Sequence, residues 1–313
     1  MTPSIELRGV QKRFGDFVAV GGVSLLVQPG VLFGLLGPNG AGKTTTIRMM
    51  MDIIAPDAGE VFFFGRERRP EDLKRVGYLP EERGLYRKMT VVDQLVFLGE
   101  LRGLKRRQSL PKIERWLERV ELGAWGKRKV EELSKGMQQK VQLIGTVLHE
   151  PDILILDEPF SGLDPINQGL FKDLFFEYKQ RGKTILFSTH VMEQAEKICD
   201  HIGLISQGRV ILSGELKEIK RRLGGNSYRL VADSADGGGG DGLAGAMARL
   251  EGLPAVDQVV RRGEDGAVKL LLRPDAVGSE VLRQIVPFLA VKEFRSEEPD
   301  LEEIFIKAVR DAA

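Results

Sequence analysis

The stretch LLGPNGAGKTTT sets Gly37, four residues, then Gly42, Lys43 and Thr44 directly after an apolar run and directly before an amphipathic one. Glycines at this spacing let backbone N–H groups turn inward around an anion with no Cβ in the way. A helix starting at Lys43 adds the positive end of its dipole. Lys43 offers a mobile point charge, Thr44 a hydroxyl ligand for Mg²⁺, and Thr45 a donor toward an α-phosphate. Gly37, Pro38, Asn39, Gly40, Ala41, Gly42, Lys43, Thr44 and Thr45 therefore form a candidate cradle for nucleotide phosphates, with an accidental glycine-rich turn as the alternative. No guanine reader accompanies it, because none of the asparagines, Asn39, Asn167 and Asn226, begins an Asn-Lys-x-Asp pattern.

Further along, PDILILDEPFSGLD reads as a buried strand that delivers Asp157 and Glu158 at its end, where Pro159 stops the ladder for want of an N–H. Asp157 suits the shell of a Mg²⁺ ion, and Glu158 suits polarisation of the water that attacks a γ-phosphate. A solvated turn is the bland alternative. The run TILFSTH brings His190 to the same sheet edge. Alone, such a histidine reads as structural; beside the loop and the carboxylates, its expected role is to bond the γ-phosphate and to position Glu158 and the water. In LSKGMQQK, Ser134 precedes an apolar stripe of Val141, Ile144, Val147 and Leu148. It reads as an N-cap whose open amides suit an anion, or else as a plain capped surface helix.

The elements that must hold these residues alternate short apolar runs with helical patterns through residues 1–222, as in an α/β domain with a buried sheet. TTTIRMMMDII puts Ile47, Met50, Met51 and Ile54 on one helical face. Residues of about 82–150 turn charged and helical, with Ile113, Trp116, Leu117 and Val120 as an inner stripe, which suggests an inserted helical subdomain. Composition shifts near Leu223, and the polar ADSADGGGGDG (Ala232 to Gly242) reads as a flexible loop. Residues 223–313 then alternate strand-like YRLVA, VDQVVRR, AVKLLLR and AVKEFR with three helical patterns, the pattern of a small α+β domain.

Composition narrows the function classes. The 46 basic and 45 acidic side chains leave a net charge of +1, so no global field holds polyanions. One cysteine, Cys199, cannot form an internal disulfide, and with His149, His190 and His201 it falls short of zinc spacing rules; a reducing cytoplasm fits best. The apolar runs fall short of the roughly 20 residues of a membrane helix, and the first residues lack a hydrophobic signal core.

Taken in order and spacing, GPNGAGKTT, LSKGMQQK, ILILDEP, SGLD and FSTH resemble the ATP-binding subunit of an ABC transporter, over Ile5 to about Leu216. The ending EEPDLEEIFIKAV resembles the small accessory domain of a subgroup of ABC-2 type exporter ATPases. The implied fold class is α/β, a P-loop ABC ATPase domain with an inserted helical subdomain, followed by a small α+β C-terminal domain. ATP and Mg²⁺ are the implied cofactors, and ATP hydrolysis coupled to transport the implied activity. The implied assembly is a head-to-tail homodimer in which Ser134 and the Gly136 amide of one copy cap the γ-phosphate of ATP held at Lys43 of the other. A separate membrane-spanning permease, received along the segment from Tyr78 to Leu101, would hold the chain at the cytoplasmic face of the membrane; no nucleic acid is expected.

The resemblance extends to individual positions. Phe14 stands where the family stacks an aromatic ring on adenine, with Phe17 or a plain core phenylalanine as competing assignments. Asp164 of SGLD is implied as a contact across the two-fold axis. Glu81, in YLPEE, replaces the family's glutamine that reaches the metal and the water; a carboxylate there can still ligate, with an added charge. Lys135 and Met137 replace the commoner glycine and glutamine of the signature. A soluble ABC ATPase acting on nucleic acid or ribosomes is the alternative function, although the coiled coil or fused second copy it would require is not seen. A non-hydrolysing regulatory binder is opposed by Glu158 and His190.

Overall fold

The computed structural model describes residues 2–82, 84–223, 226–232, 241–262 and 267–312, so most of the glycine-rich stretch from Ala232 to Gly242 lies outside it. The chain divides into two compact units, 1–216 with 308–313, and 217–307. Helix α7 (Leu216–Leu223) fills the interval between that division and the composition shift at Leu223.

The first unit runs β1 (Ile5–Phe14), β2 (Phe17–Val27), β3 (Leu32–Leu36), α1 (Lys43–Met50), β4 (Ala58–Phe63), β5 (Arg66–Glu67), β6 (Val76–Leu79), α2 (Val91–Leu101), α3 (Arg106–Arg119), α4 (Lys135–Val147), β7 (Ile153–Asp157), α5 (Pro165–Gln180), β8 (Thr184–Thr189), α6 (Met192–Ile198), β9 (His201–Ser206) and β10 (Arg209–Glu215). A six-stranded sheet has the order β10-β9-β3-β8-β7-β6, parallel except for β10. Its strands β3, β7 and β8 are buried along their whole length, which explains why they read as continuous apolar runs rather than alternating ones. An antiparallel sheet, β2-β1-β4-β5, shares the core with α1 through Leu7, Val23, Ile47 and Phe63.

Helices α2, α3 and α4 enclose a core of their own, including Val91, Leu95, Ile113, Leu117, Ile144 and Leu148, as the helical periodicity between residues 82 and 150 predicts. Trp116 is only partly buried against it. One expectation fails: α1 stops at Met50 with Met51 as its cap, so Ile54 lies beyond the helix. Asp52 adopts a left-handed φ of 60°, a conformation that terminates helices, and its carboxylate pairs with Arg68. Ile54 still packs, partly buried, against the main core.

The second unit carries β11 (Asn226–Ala232), α8 (Asp241–Glu251), β12 (Val256–Arg262), β13 (Ala267–Leu272), α9 (Gly278–Ile285), β14 (Val291–Ser296) and the start of α10 (Leu301–Ala312). Its antiparallel sheet has the order β12-β13-β11-β14. Leu230, Leu250, Leu270, Leu272, Val281 and Ile285 form its core, so the α+β expectation holds. Among the described residues, no helix is long and apolar enough to cross a membrane.

Just after α4, burial holds the His149 imidazole down at about 4, with the Arg102 charge acting the same way; its Nε2 lies 3.3 Å from the Val76 carbonyl oxygen. The folded state keeps this ring neutral, whereas an unfolded chain protonates it below about 6.5. Stability is therefore fully present above that pH and falls as pH drops from about 6.5 toward 4, by on the order of 2–3 kcal/mol. Denaturant titrations across this range should show a flatter acid limb for His149→Gln than for the unmodified chain.

Candidate functional site

The loop after β3 wraps back on itself before α1 begins. Gly37, Gly40 and Gly42 all have positive φ, at 155°, 78° and 103°. A Cβ on Gly37 would stand 2.2 Å from the Ile205 carbonyl oxygen, and one on Gly42 would stand 2.6 Å from that of Ala19, so both positions require glycine on steric grounds alone. Gly42 is the N-cap of α1 and supplies no side-chain bond, leaving the helix's first amides open to an anion. Pro38, Asn39 and Gly40 are exposed, Ala41 is buried, and Thr44 and Thr45 are half-buried. The Gly208 amide donates to the Ala41 carbonyl oxygen at 3.0 Å and props the loop from behind.

Lys43 is 6% exposed, and its Nζ donates to the carbonyl oxygens of Gly37 (2.7 Å) and Pro38 (3.1 Å). The same Nζ lies 3.5 Å from Glu158 Oε1. Because β3, β8 and β7 are neighbours in the sheet, their C-terminal ends bring the phosphate loop, His190 and the carboxylate pair together. His190 follows the last residue of β8, and its Nδ1 is 3.1 Å from both Glu158 oxygens. Glu158 has a φ of 48°, strained for a residue with a side chain, and its amide donates to Ser188 Oγ at 2.9 Å.

Asp157 is 1% exposed, and its Oδ1 accepts from Thr44 Oγ1 (3.2 Å) and Ser188 Oγ (2.6 Å). Its Oδ2 is buried with no hydrogen-bond partner. An uncommitted buried carboxylate oxygen beside a threonine hydroxyl fits a hard divalent cation such as Mg²⁺, whose remaining ligands would be phosphate and water oxygens. Among the described residues no group of three His, Cys, Asp or Glu side chains gathers to cage a metal unaided. Burial, with the Asp157 charge beside it, pushes the nearby Tyr78 phenol up to about 12 and keeps it neutral.

A cavity of about 500 Å³ opens next to these groups, lined by Glu81, Lys135, Gln139, Gln142, Asp157 and Glu158 among others. Glu81 thus shares a chamber with the carboxylate pair. Phe160 anchors the turn after Glu158: its ring packs against Phe171, Phe175 and Phe187 at centroid distances of 6.4, 5.5 and 5.8 Å.

Ser134 caps α4, its hydroxyl accepting from the Met137 amide at 3.3 Å, and it is exposed together with Lys135. Gly136 is half-buried in the helix's first turn. Asp164 caps α5 by accepting from the Asn167 amide at 2.9 Å, and that bond holds its carboxyl below the usual range. Phe14 and Phe17 face each other across the β1–β2 turn and are 52% and 63% exposed, which removes the core reading for either ring. Lys12 Nζ lies 5.8 Å from the Phe14 centroid.

Ser188 was not among the expected site residues, yet it bonds both members of the carboxylate pair; its place near the end of β8, in FSTH, is the signal that points to it. As an arrangement, the site can hold phosphates at backbone amides and Lys43, seat a cation at Asp157 and Thr44, and aim a histidine-supported carboxylate at a water.

Comparison with known proteins agrees with this geometry. Residues 20–161 match the family model described as ABC transporter, and residues 214–309 match the C-terminal domain of ATP-binding proteins described as DrrA1-3-like. The chain is 41% identical to the uncharacterized ABC transporter ATP-binding protein YhaQ of Bacillus subtilis, over 96% of each chain. It is 38% identical to Nod factor export ATP-binding protein I of Cupriavidus metallidurans, over 70% of this chain and 73% of that one. A solved ATP-binding subunit of an ABC transporter superposes with a TM-score of 0.65 at 31% identity, covering 70% of this chain and 92% of the other. With the fold, the phosphate loop and the accessory domain all in register, the chain belongs to the ATP-binding subunits of ABC transporters, in the group that carries the DrrA-like C-terminal domain.

Proposed function

We propose that this chain hydrolyses ATP to drive an export complex, working as a head-to-tail homodimer beneath a separate membrane permease of the ABC-2 type. The observation that carries the reading is the convergence of Lys43 and His190 on Glu158, at 3.5 and 3.1 Å, beside the uncommitted oxygen of Asp157. Export is supported by the DrrA-like C-terminal match and by the relative whose name assigns it to Nod factor export. The accessory domain, residues 223–313, is taken to support the paired state or its regulation.

In this reading the loop amides and Lys43 hold the β- and γ-phosphates, and Thr44, Glu81 and Asp157 serve the metal. Mg²⁺, when bound, neutralises charge developing on the phosphate oxygens. Glu158 accepts a proton from the attacking water, and His190 fixes the carboxylate's orientation and reaches the γ-phosphate. Phe14 stacks on adenine, Asp164 meets the partner across the two-fold axis, and Ser134 with the Gly136 amide of one copy closes the pocket of the other. Cleavage removes charge-assisted bonds that hold the copies together, so hydrolysis reopens the dimer. Nucleic-acid action is disfavoured by a net charge of +1.

A test with a clean control is Ser134→Gly, since glycine costs an N-cap only a few tenths of a kcal/mol. Loss of a hydrogen bond to a charged phosphate, on the order of 1.5–3 kcal/mol, should lower kcat/KM about 10- to 100-fold with little change in melting temperature. Unchanged kcat/KM in steady-state ATPase assays would remove Ser134 from the pocket. Light scattering with and without ATP measures the pairing itself.

A further inference from the structure

Two carboxamides on α4 reach both glutamates' loops. Gln139 and Gln142 are three residues apart, hence on one face of the helix, and are only 8% and 7% exposed. Gln139 Nε2 donates to the carbonyl oxygens of Pro159 (3.0 Å) and Ser161 (3.4 Å), in the turn that follows Glu158. Gln142 Nε2 donates to the carbonyl oxygens of Pro80 (3.3 Å) and Glu82 (3.2 Å), which flank Glu81. Each amide thus clips one glutamate-bearing loop to the helix that Ser134 caps.

An apolar side chain would fill the same space at less desolvation cost, so amides here make sense through their partners. Those partners are backbone groups whose position sets where the two carboxylates point. Glu158 in particular has the positive φ of 48°, a conformation that persists only when neighbouring contacts over-determine it. Both amides also line the cavity that Glu81, Asp157 and Glu158 face.

We propose that Gln139 and Gln142 are positioning residues that tie Glu158 and Glu81 to the start of α4, so that a shift of Ser134 is felt at the carboxylates of the same chain. The inference rests on the paired reading given above. In a head-to-tail pair, the Ser134 end of α4 meets the nucleotide of the partner, while the two amides act on the chain's own base. Occupancy of one pocket then tunes hydrolysis in the other.

Gln139→Met and Gln142→Met keep side-chain length and remove the donors. Steady-state hydrolysis should show kcat down about 10- to 100-fold, the range expected for a displaced catalytic group. The Hill coefficient for ATP should fall to 1, while equilibrium ATP affinity measured without turnover stays within about twofold. Since Gln142 acts through Glu81, Gln142→Met should cost far less when added to Glu81→Ala than when added to the unmodified chain. Unchanged kcat and Hill coefficient overturn the proposal. So does a joint fall of kcat, affinity and melting temperature with full additivity to Glu81→Ala, which marks a scaffolding role. If Glu158→Gln alone forms no ATP-dependent dimer, the paired reading fails, while the Glu81 cycle still decides whether the amides position the carboxylates.

Discussion

Glu158→Gln should lower kcat by about 10²- to 10⁴-fold, the usual range for removing a general base, while ATP binding is kept. The amide is isosteric with the carboxylate but accepts no proton from water. Binding should hold or tighten for an electrostatic reason. Glu158 stands 3.5 Å from Lys43, so an arriving γ-phosphate must compete with that carboxylate for the ammonium and meets its negative charge. Glutamine removes both obstacles. With cleavage blocked and binding intact, an ATP-bound dimer should accumulate, visible by size exclusion or light scattering. Single-turnover hydrolysis at the unmodified rate would strip Glu158 of its proposed role and leave His190 as the remaining candidate base.

Lys43→Ala should instead weaken nucleotide binding itself, by roughly 10- to 100-fold if one charge-assisted contact worth about 1.5–3 kcal/mol is lost. The same change leaves the carbonyl oxygens of Gly37 and Pro38 without their donor and removes a cation beside Glu158, which is 9% exposed. A lower melting temperature of the nucleotide-free protein should follow, since a buried charge that loses its partner is destabilising. Lys43→Arg should not restore affinity, because a planar guanidinium does not fit the space of a compact ammonium between two carbonyls. Calorimetric titration with ATP measures the first effect and a thermal melt the second. Equal affinity for Lys43→Ala and the unmodified chain would dismiss the loop as the phosphate site.

Much of this site was legible in the sequence because local chemistry dictates it. The glycine spacing before Lys43 demands a loop that no other residues can make, and the clash distances at Gly37 and Gly42 give that demand its physical form. The runs that became β3, β7 and β8 could be read because a buried parallel sheet needs uninterrupted apolar residues. Ser134 and Asp164 sit at helix starts, where their side chains cap the next turn. What the sequence did not disclose depends on partners distant in the chain. Ser188 meets Asp157 and Glu158 from the adjacent strand; its place near the end of β8 gives the sheet edge it sits on but not those two partners. Gln139 and Gln142 look like ordinary polar residues on an amphipathic helix until the loops they bond are in view. The early end of α1 turned on one left-handed aspartate, which helical periodicity passes over. Phe14 was recognisable as an aromatic ring, but only its exposed seat at a hairpin turn separates a stacking platform from a core residue.

The phosphate loop is fastened by the protein's own bonds, with Lys43 bonded to two of its carbonyls, the Ala41 amide donating to Pro38, and Gly208 bracing it from the neighbouring turn. The conformational entropy of that segment is therefore lost during folding rather than during capture. Capture of a nucleotide then carries little ordering cost in the cradle itself, so affinity reads the contacts made rather than the loop's ordering.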